Sequence, residues 1–168
     1  LKTMVDEFSQ FARLPSAKPE PGDLNETIRN VGEIYRDREG GIEIKLDLQP
    51  DLPTHNFDPE QIKRALVNLI ENAIESYEET VRHKPVMISS LLDQAGERII
   101  IRVTDYGRGI APENYAKLFQ PYFSTKGRGT GLGLAIVRRI ITEHFGRIYA
   151  RGNEAGGSDF IIELPLNT

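Results

Sequence analysis

The stretch from Ala65 to Tyr77, ALVNLIENAIESY, limits what this chain can become more than any other. Ile62, Leu66, Leu69, Ile70, Ala73, Ile74 and Tyr77 recur at helical spacing, which predicts an amphipathic helix with one buried face. Asn68, Glu71, Asn72 and Glu75 fall at i, i+3, i+4 and i+7 and share a second stripe. Asn is a poor mid-helix residue, because its side-chain amide competes for the backbone. Two of them one turn apart, beside two carboxylates, make an oxygen-rich patch. A hard divalent cation takes such ligands and keeps other positions for water and phosphate. The same four residues also read as a solvated polar face.

The 168 residues suit one domain with a short appendage, and 39% apolar with 27% charged residues is ordinary for a globular fold. A net charge of −4 gives no electrostatic footprint for DNA or RNA, so no nucleic-acid partner is expected. Anions would have to be held locally, by backbone amides or a few Lys and Arg side chains. Without cysteine there are neither disulfides nor thiolate metal sites. No long apolar run and no signal peptide are present. The chain opens at Leu1 inside an amphipathic pattern, so it reads as a piece of a longer protein, in which a membrane anchor could lie upstream.

Residues Leu1 to Leu14 carry Leu1, Val5, Phe8, Phe11 and Ala12 at helical spacing and read as the tail of a helix. Pro15, Pro19 and Pro21 end it and mark 15–22 as a linker, with the main domain from Asp23 onward. Asp23 caps a second helix, with Glu26 completing a capping box, and Gly40-Gly41 stops it. Ile42 to Leu48 alternates as a half-buried strand, and Pro50 to Phe57 reads as a loop. Asp58-Pro59-Glu60-Gln61 launches the central helix, expected to run to about Arg82. Val86 to Leu92 and Arg98 to Thr104 predict a hairpin. A short helix over 112–119 and a mobile loop over 120–130 follow. Gly131 to Phe145 reads as a helix with Leu132, Ala135, Ile136, Ile140 and Phe145 inward. Two final strands cover Arg147 to Arg151 and Asp159 to Leu164. The order is not a regular βαβ alternation. It predicts an α+β fold, a two-layer α/β sandwich with a mixed sheet and helices on one face.

Two further segments carry chemistry. Lys126-Gly127-Arg128-Gly129-Thr130-Gly131-Leu132-Gly133-Leu134 enters a helix directly. Glycines let backbone N–H groups approach an anion, the helix start adds a favourable dipole, and Lys126 can add charge. The pattern is neither a P-loop nor a dinucleotide fingerprint, and a flexible loop reads from it equally. Asp105, at a strand end before Gly107 and Gly109, can accept from an exocyclic amine while the backbone crowds a flat ring. An ordinary strand-exit turn has the same composition.

Together, Asn68-x-x-Glu71-Asn72-Ala73, Asp105-x-Gly107-x-Gly109 and Gly129-Thr130-Gly131-Leu132-Gly133-Leu134 resemble the N, G1 and G2 boxes of the GHKL ATP-binding superfamily. Leu118 to Lys126 is similar to the F box of sensor histidine kinases, and Gly156 to Phe160 to the turn before their last strand. Leu1 to Leu14 resembles the end of a dimerisation and phosphotransfer helix in nitrogen-regulation kinases of the NtrB and NtrY type. The resemblance implies the ATP-binding (Bergerat) fold and a protein histidine kinase using ATP and Mg²⁺. It implies Asn68 and Asn72 as Mg²⁺ ligands, and Glu71 as the acid/base or orienting group beside the reacting phosphate. Asp105 would recognise adenine N6, with Gly107, Gly109 and Ile110 shaping the turn. Lys126, also counted with Glu71 and Asn72 as catalytic, would hold phosphates with the amides of Gly129, Thr130, Gly131, Leu132, Gly133 and Leu134. Phe119 and Phe123 would anchor the closing loop.

The resemblance further implies a phosphoacceptor His on the protein's own dimerisation domain, a response-regulator partner of the nitrogen-regulation type, a homodimer in the full-length protein, and a cytoplasmic location with a possible inner-membrane anchor. Glu75 stands where many such kinases carry Lys, which leaves Lys126, Arg128 or Arg64 to compensate. His55, His83 and His144 lack the acidic residue and Pro that follow a phosphoacceptor, and read as surface or loop imidazoles. A GHKL ATPase in which Glu71 activates water, and a non-catalytic nucleotide sensor, are the alternatives.

Overall fold

The computed structural model describes residues 2–124 and 131–167. Its framework is a five-stranded sheet in the order β2 (Ile42–Leu48), β4 (Lys84–Leu92), β5 (Arg98–Asp105), β7 (Ser158–Pro165), β6 (Arg147–Gly152). Strand β2 runs parallel to β4, and the other neighbours are antiparallel. Helices α2 (Leu24–Ile34), α3 (Pro59–Glu75) and α4 (Gly133–Glu143) cover one face. This is the α+β two-layer sandwich that the sequence predicts.

The core lies between the two layers. From the sheet come Val86, Ile88, Ile99, Ile101, Val103, Phe160, Ile162 and Leu164, all buried. Strand register places these on one face, because side chains alternate along each strand. From α3 come Ile62, Leu66, Leu69 and Ile70, from α2 Ile28 and Val31, and from α4 Ile136, Val137, Ile140 and Ile141. Each such side chain contributes about 1.5–3 kcal/mol by leaving water.

The helix starts follow their caps. Asp23 accepts from the Asn25 amide at 2.9 Å, and Asp58 from the Gln61 amide at 3.1 Å, with Pro59 in the first turn of α3. The helix ends depart from expectation. Helix α2 stops at Ile34, well before Gly40-Gly41. Helix α3 stops at Glu75 rather than near Arg82. There the Ser76 hydroxyl donates to the Ala73 carbonyl at 2.6 Å, while the Ser76 carbonyl accepts from the Arg108 amide at 3.1 Å instead of continuing the helix. Helix α4 ends at Glu143. Phe145, expected inward, is 76% exposed with φ +61°, because it occupies the left-handed position beyond the cap residue His144.

Two short strands were also hidden. Within the segment read as a linker, β1 (Glu20–Gly22) pairs antiparallel with β3 (His55–Phe57), inside the segment read as a loop. The rest of 15–22 is tied down as well. The Pro15 carbonyl accepts from Gln61 Nε2 at 2.7 Å, the Ala17 amide donates to Glu143 at 3.2 Å, and the Lys18 amide donates to Asp58 at 2.8 Å. Helix α1 (Lys2–Ala12) meets α4 where Arg139 donates to the Phe11 carbonyl at 2.5 Å. Residues 112–117 form a 3-10 helix.

Two histidines differ from expectation. His55 and His144 are buried, and His144 Nε2 accepts from the Asp58 amide at 3.0 Å. His83 is exposed and bonds Glu43 at 2.6 Å.

Candidate functional site

Helix α3 runs along one side of the site. Asn68 and Asn72 are half-buried on it. Asn68 Nδ2 donates to the Gly133 carbonyl at 3.3 Å, so the polar stripe of α3 meets the first turn of α4. With its nitrogen so used, Asn68 has its carbonyl oxygen as the metal-binding type of atom. Among the described residues, no group of three or more His, Cys, Asp or Glu side chains could hold a metal ion. Mg²⁺ is bound by one or two protein oxygens together with substrate phosphate and water. Two Asn oxygens one turn apart fit that manner of binding.

Glu71 points elsewhere. Glu71 lies about 100° around the helix from Asn72, toward the end of α2. The Glu71 carboxylate accepts from the Tyr35 hydroxyl at 3.0 Å and from Arg38 at 2.9 and 3.3 Å. Both partners follow the end of α2. Burial is the first cause that pushes the Tyr35 phenol far above its usual range, and the Glu71 charge adds to it. Hydrogen bonding to Glu71 likewise raises Arg38. Glu75 is exposed. Arg64, a candidate to replace the missing lysine, donates to Gln10 of α1 at 3.0 Å, and burial lowers its pKa.

The second wall is the turn after β5. Asp105 is 1% exposed, and its Oδ1 accepts from the Gly107 amide at 3.0 Å. The two glycines are required by crowding. A Cβ on Gly107 would strike the Ser76 hydroxyl, and one on Gly109, at φ +75°, would strike the Gly156 carbonyl. Ile110 is half-buried against the core. A buried carboxylate on a glycine-cleared turn fits a flat ring carrying an amine donor.

The third wall is the start of α4. Gly131, at φ +73°, packs against the backbone of Tyr122 and Phe123, and its carbonyl accepts from the Tyr122 amide at 3.0 Å. Leu132 is buried and Leu134 half-buried, so the apolar residues of this segment face the core. Gly133 has open space around it. The residue before α4 is Leu132, whose side chain makes no cap hydrogen bond, and a helix start is where backbone amides can receive an anion. Phe119 is buried edge-on against Phe160 at 6.2 Å, and Phe123 packs partly on the core. Both therefore tie the chain before residue 125 to the core. Lys126, Gly129 and Thr130, and Arg128 with them, lie outside the described residues.

Sequence reasoning missed four groups that shape this site. Tyr35 and Arg38 lie in a segment with no motif. Tyr77 was counted as core, yet its hydroxyl donates to the Pro85 carbonyl at 2.6 Å and accepts from the Tyr106 amide at 2.9 Å. Asn153, in the β6–β7 turn, donates to the Asp105 carbonyl at 2.8 Å. An Asn four residues before Gly157 was the available signal.

Residues 57–168 match the family described as histidine kinase-, DNA gyrase B- and HSP90-like ATPases. The nitrogen regulation protein NtrY of Azorhizobium caulinodans is 38% identical over 151 residues, covering 86% of this chain and 19% of that protein. The sensor histidine kinase ZraS of Escherichia coli K12 is 35% identical over 144 residues, covering 86% of this chain and 30% of that protein. This chain thus spans less than a third of either relative. Among solved structures, full-length ShkA in complex with AMPPNP superposes with a TM-score of 0.84 at 31% identity, over 98% of this chain and 35% of that one. The catalytic domain of histidine kinase ThkA superposes at 0.77 with 35% identity, over 89% of this chain and 96% of that one. The chain therefore belongs to the histidine kinase-, DNA gyrase B- and HSP90-like ATPase family, as an ATP-binding catalytic domain of the histidine kinase kind.

Proposed function

We propose that this domain binds ATP with Mg²⁺ and presents the γ-phosphate to a histidine on a dimerisation domain outside this chain. The observation that carries the reading is the meeting of Asn68 with Gly133. It joins an oxygen-bearing helix face to a glycine-bearing helix start, two features that suit a metal-bound polyphosphate. Asp105 supplies the matching end for the base.

In this reading Asn68 and Asn72 hold Mg²⁺, which supplies charge neutralisation to the triphosphate. The amides from Gly131 to Leu134, with Lys126, Gly129 and Thr130, hold phosphate oxygens. Phosphoryl transfer needs chiefly positioning and charge neutralisation, so these groups suffice for the chain's share. Glu71 acts as an orienting group. Its three hydrogen bonds to Tyr35 and Arg38 favour that role over proton transfer, and weigh against an ATPase in which it activates water. Phe119 and Phe123 anchor the closing loop.

Residues 1–14 would be the end of a dimerisation and phosphotransfer helix, 15–22 the connection, and 23–168 the catalytic domain. The full-length protein would be a homodimer that passes its phosphate to a response regulator of the nitrogen-regulation type. The nitrogen regulation protein NtrY among the relatives supports the type of regulator, and the solved complex of histidine kinase ThkA with the response regulator TrrA, which superposes at a TM-score of 0.82 and 30% identity, supports a response-regulator partner. A cytoplasmic site of action follows from ATP as the substrate. Among the described residues, no helix is long and apolar enough to cross a membrane.

The test is reconstitution. Mixed with a separate His-bearing dimerisation domain and Mg·ATP, this chain should yield an acid-labile, base-stable phosphoprotein. Normal ATP binding with no phosphotransfer would contradict the reading.

A further inference from the structure

We infer that Asn153 and Tyr77 are positioning residues that set base selectivity through Asp105. The inference rests on the reading of Asp105 as the group that recognises the base. Asp105 makes one bond within its own turn, its Oδ1 accepting from the Gly107 amide at 3.0 Å. It ends β5, and the chain beyond it is a turn. Three backbone groups in that turn are held by residues from distant parts of the chain. The Asp105 carbonyl accepts from Asn153 Nδ2 at 2.8 Å. The Tyr106 amide donates to the Tyr77 hydroxyl at 2.9 Å, and the Arg108 amide to the Ser76 carbonyl at 3.1 Å.

Asn153 is built to hold this position. Its Oδ1 accepts from the amides of Ala155 and Gly157, each at 3.1 Å. Its own amide donates to the Gly157 carbonyl at 3.1 Å, and its carbonyl accepts from the Gly156 amide at 3.0 Å. The side chain therefore closes its own turn with its oxygen and grips the neighbouring turn with its nitrogen. The two turns touch closely, since a Cβ on Gly157 would overlap the Asp105 carbonyl. Tyr77 holds the next residue of the turn. Its hydroxyl is fixed by donating to the Pro85 carbonyl at 2.6 Å, so the lone pair offered to Tyr106 has a set direction.

Each residue has an indirect role. Both act on where the Asp105 carboxylate sits. A hydrogen bond to an exocyclic amine needs that carboxylate within a few tenths of an ångström of its place. Phosphate and metal contacts come from the other walls and do not need it. Loosening the turn should therefore weaken recognition of the amine while sparing the triphosphate.

The experiment measures dissociation constants of the purified chain for ATP and for inosine triphosphate, both with Mg²⁺. Inosine carries a carbonyl where adenine carries the amine. The native chain should prefer ATP by about tenfold or more, as a site built to bond a donor rejects the analogue lacking it. Asn153→Ala and Tyr77→Phe should each lower ATP affinity about tenfold and leave the inosine affinity within about twofold, so the preference collapses. A melting curve on each variant establishes that it is folded, and the two substitutions are on different elements, so failure of one to fold leaves the other decisive. Parallel loss of both nucleotides, or no change in either, would overturn the inference. Asp105→Ala separates the two levels. If it abolishes the preference while the Asn153 and Tyr77 variants keep it, positioning fails and base recognition stands. If Asp105→Ala keeps the native preference, both fail.

Discussion

The carboxylate of Glu71 is clamped by the guanidinium of Arg38, through bonds of 2.9 and 3.3 Å, with the Tyr35 hydroxyl closing on the same carboxylate at 3.0 Å. The clamp ties the end of α2 to the helix that carries Asn68 and Asn72. Glu71→Gln keeps the shape and loses the charge. Because the ion pair is partly exposed, this should cost only about 1 kcal/mol of stability in a denaturant titration. Phosphotransfer should fall less than about tenfold, since removing a true general base lowers rates by about 10² to 10⁴.

Gly157→Ala tests the closeness of the two turns. The added Cβ would overlap the Asp105 carbonyl and lie 2.8 Å from the Tyr106 Cα, both of them backbone and unable to swing aside. ATP affinity should drop by about tenfold or more, with a melting temperature lowered by a few degrees for about 1–2 kcal/mol of strain. Calorimetric titration and a melting curve read both effects.

Glu163 gives a pH dependence with a definite sign. It lies buried on the sheet face away from the helices, bonded by Arg147 at 3.0 and 3.1 Å, Tyr149 at 2.9 Å and Arg98 at 3.2 Å. The Arg147 hydrogen bonds are the first cause that holds its carboxyl below the usual carboxylate range, against the opposing effect of burial. A carboxyl depressed by folding stabilises the native state above its unfolded pKa, and that contribution is lost as pH falls through the folded value. Melting temperature should therefore decline in acid below the ordinary carboxylate range, about pH 4. Glu163→Gln should be less stable at neutral pH and show a flatter decline.

Asp58 joins the connecting segment to α3. Its two oxygens accept from the Gln61 and Lys18 amides. Asp58→Ala removes a helix cap and should cost about 1–2 kcal/mol. Hydrogen exchange at Lys18 should accelerate more than in the sheet core, because the substitution also frees that segment locally.

The sequence announced what short-range pattern controls. Asp58-Pro59 began α3, the run RIIIRVT made β5, and the 93–97 turn closed the hairpin, with Asp93 accepting from the Glu97 amide at 2.9 Å. What depends on distant partners was hidden. The three-residue β1 and β3 exist only by pairing with each other, and prolines at 19, 21 and 53 mask them. Tyr77 and Phe145 look alike as apolar residues at helical spacing. One is a hydrogen-bonding strut and the other lies in solvent, because each helix ends where a tertiary contact or a left-handed residue ends it. The spacing of Asn68, Glu71, Asn72 and Glu75 suggested one common face. It was too coarse to show that Glu71 sits on the flank nearer α2, beside an Arg38 that no motif marks.

Mg²⁺ dependence of nucleotide affinity in the Asn72→Ala chain tests the central claim most directly. The native chain should bind ATP much more tightly with Mg²⁺ than with chelator, and the folded variant should bind it equally weakly in both. A variant that keeps the native response to Mg²⁺ would contradict the placement of the metal and triphosphate against α3.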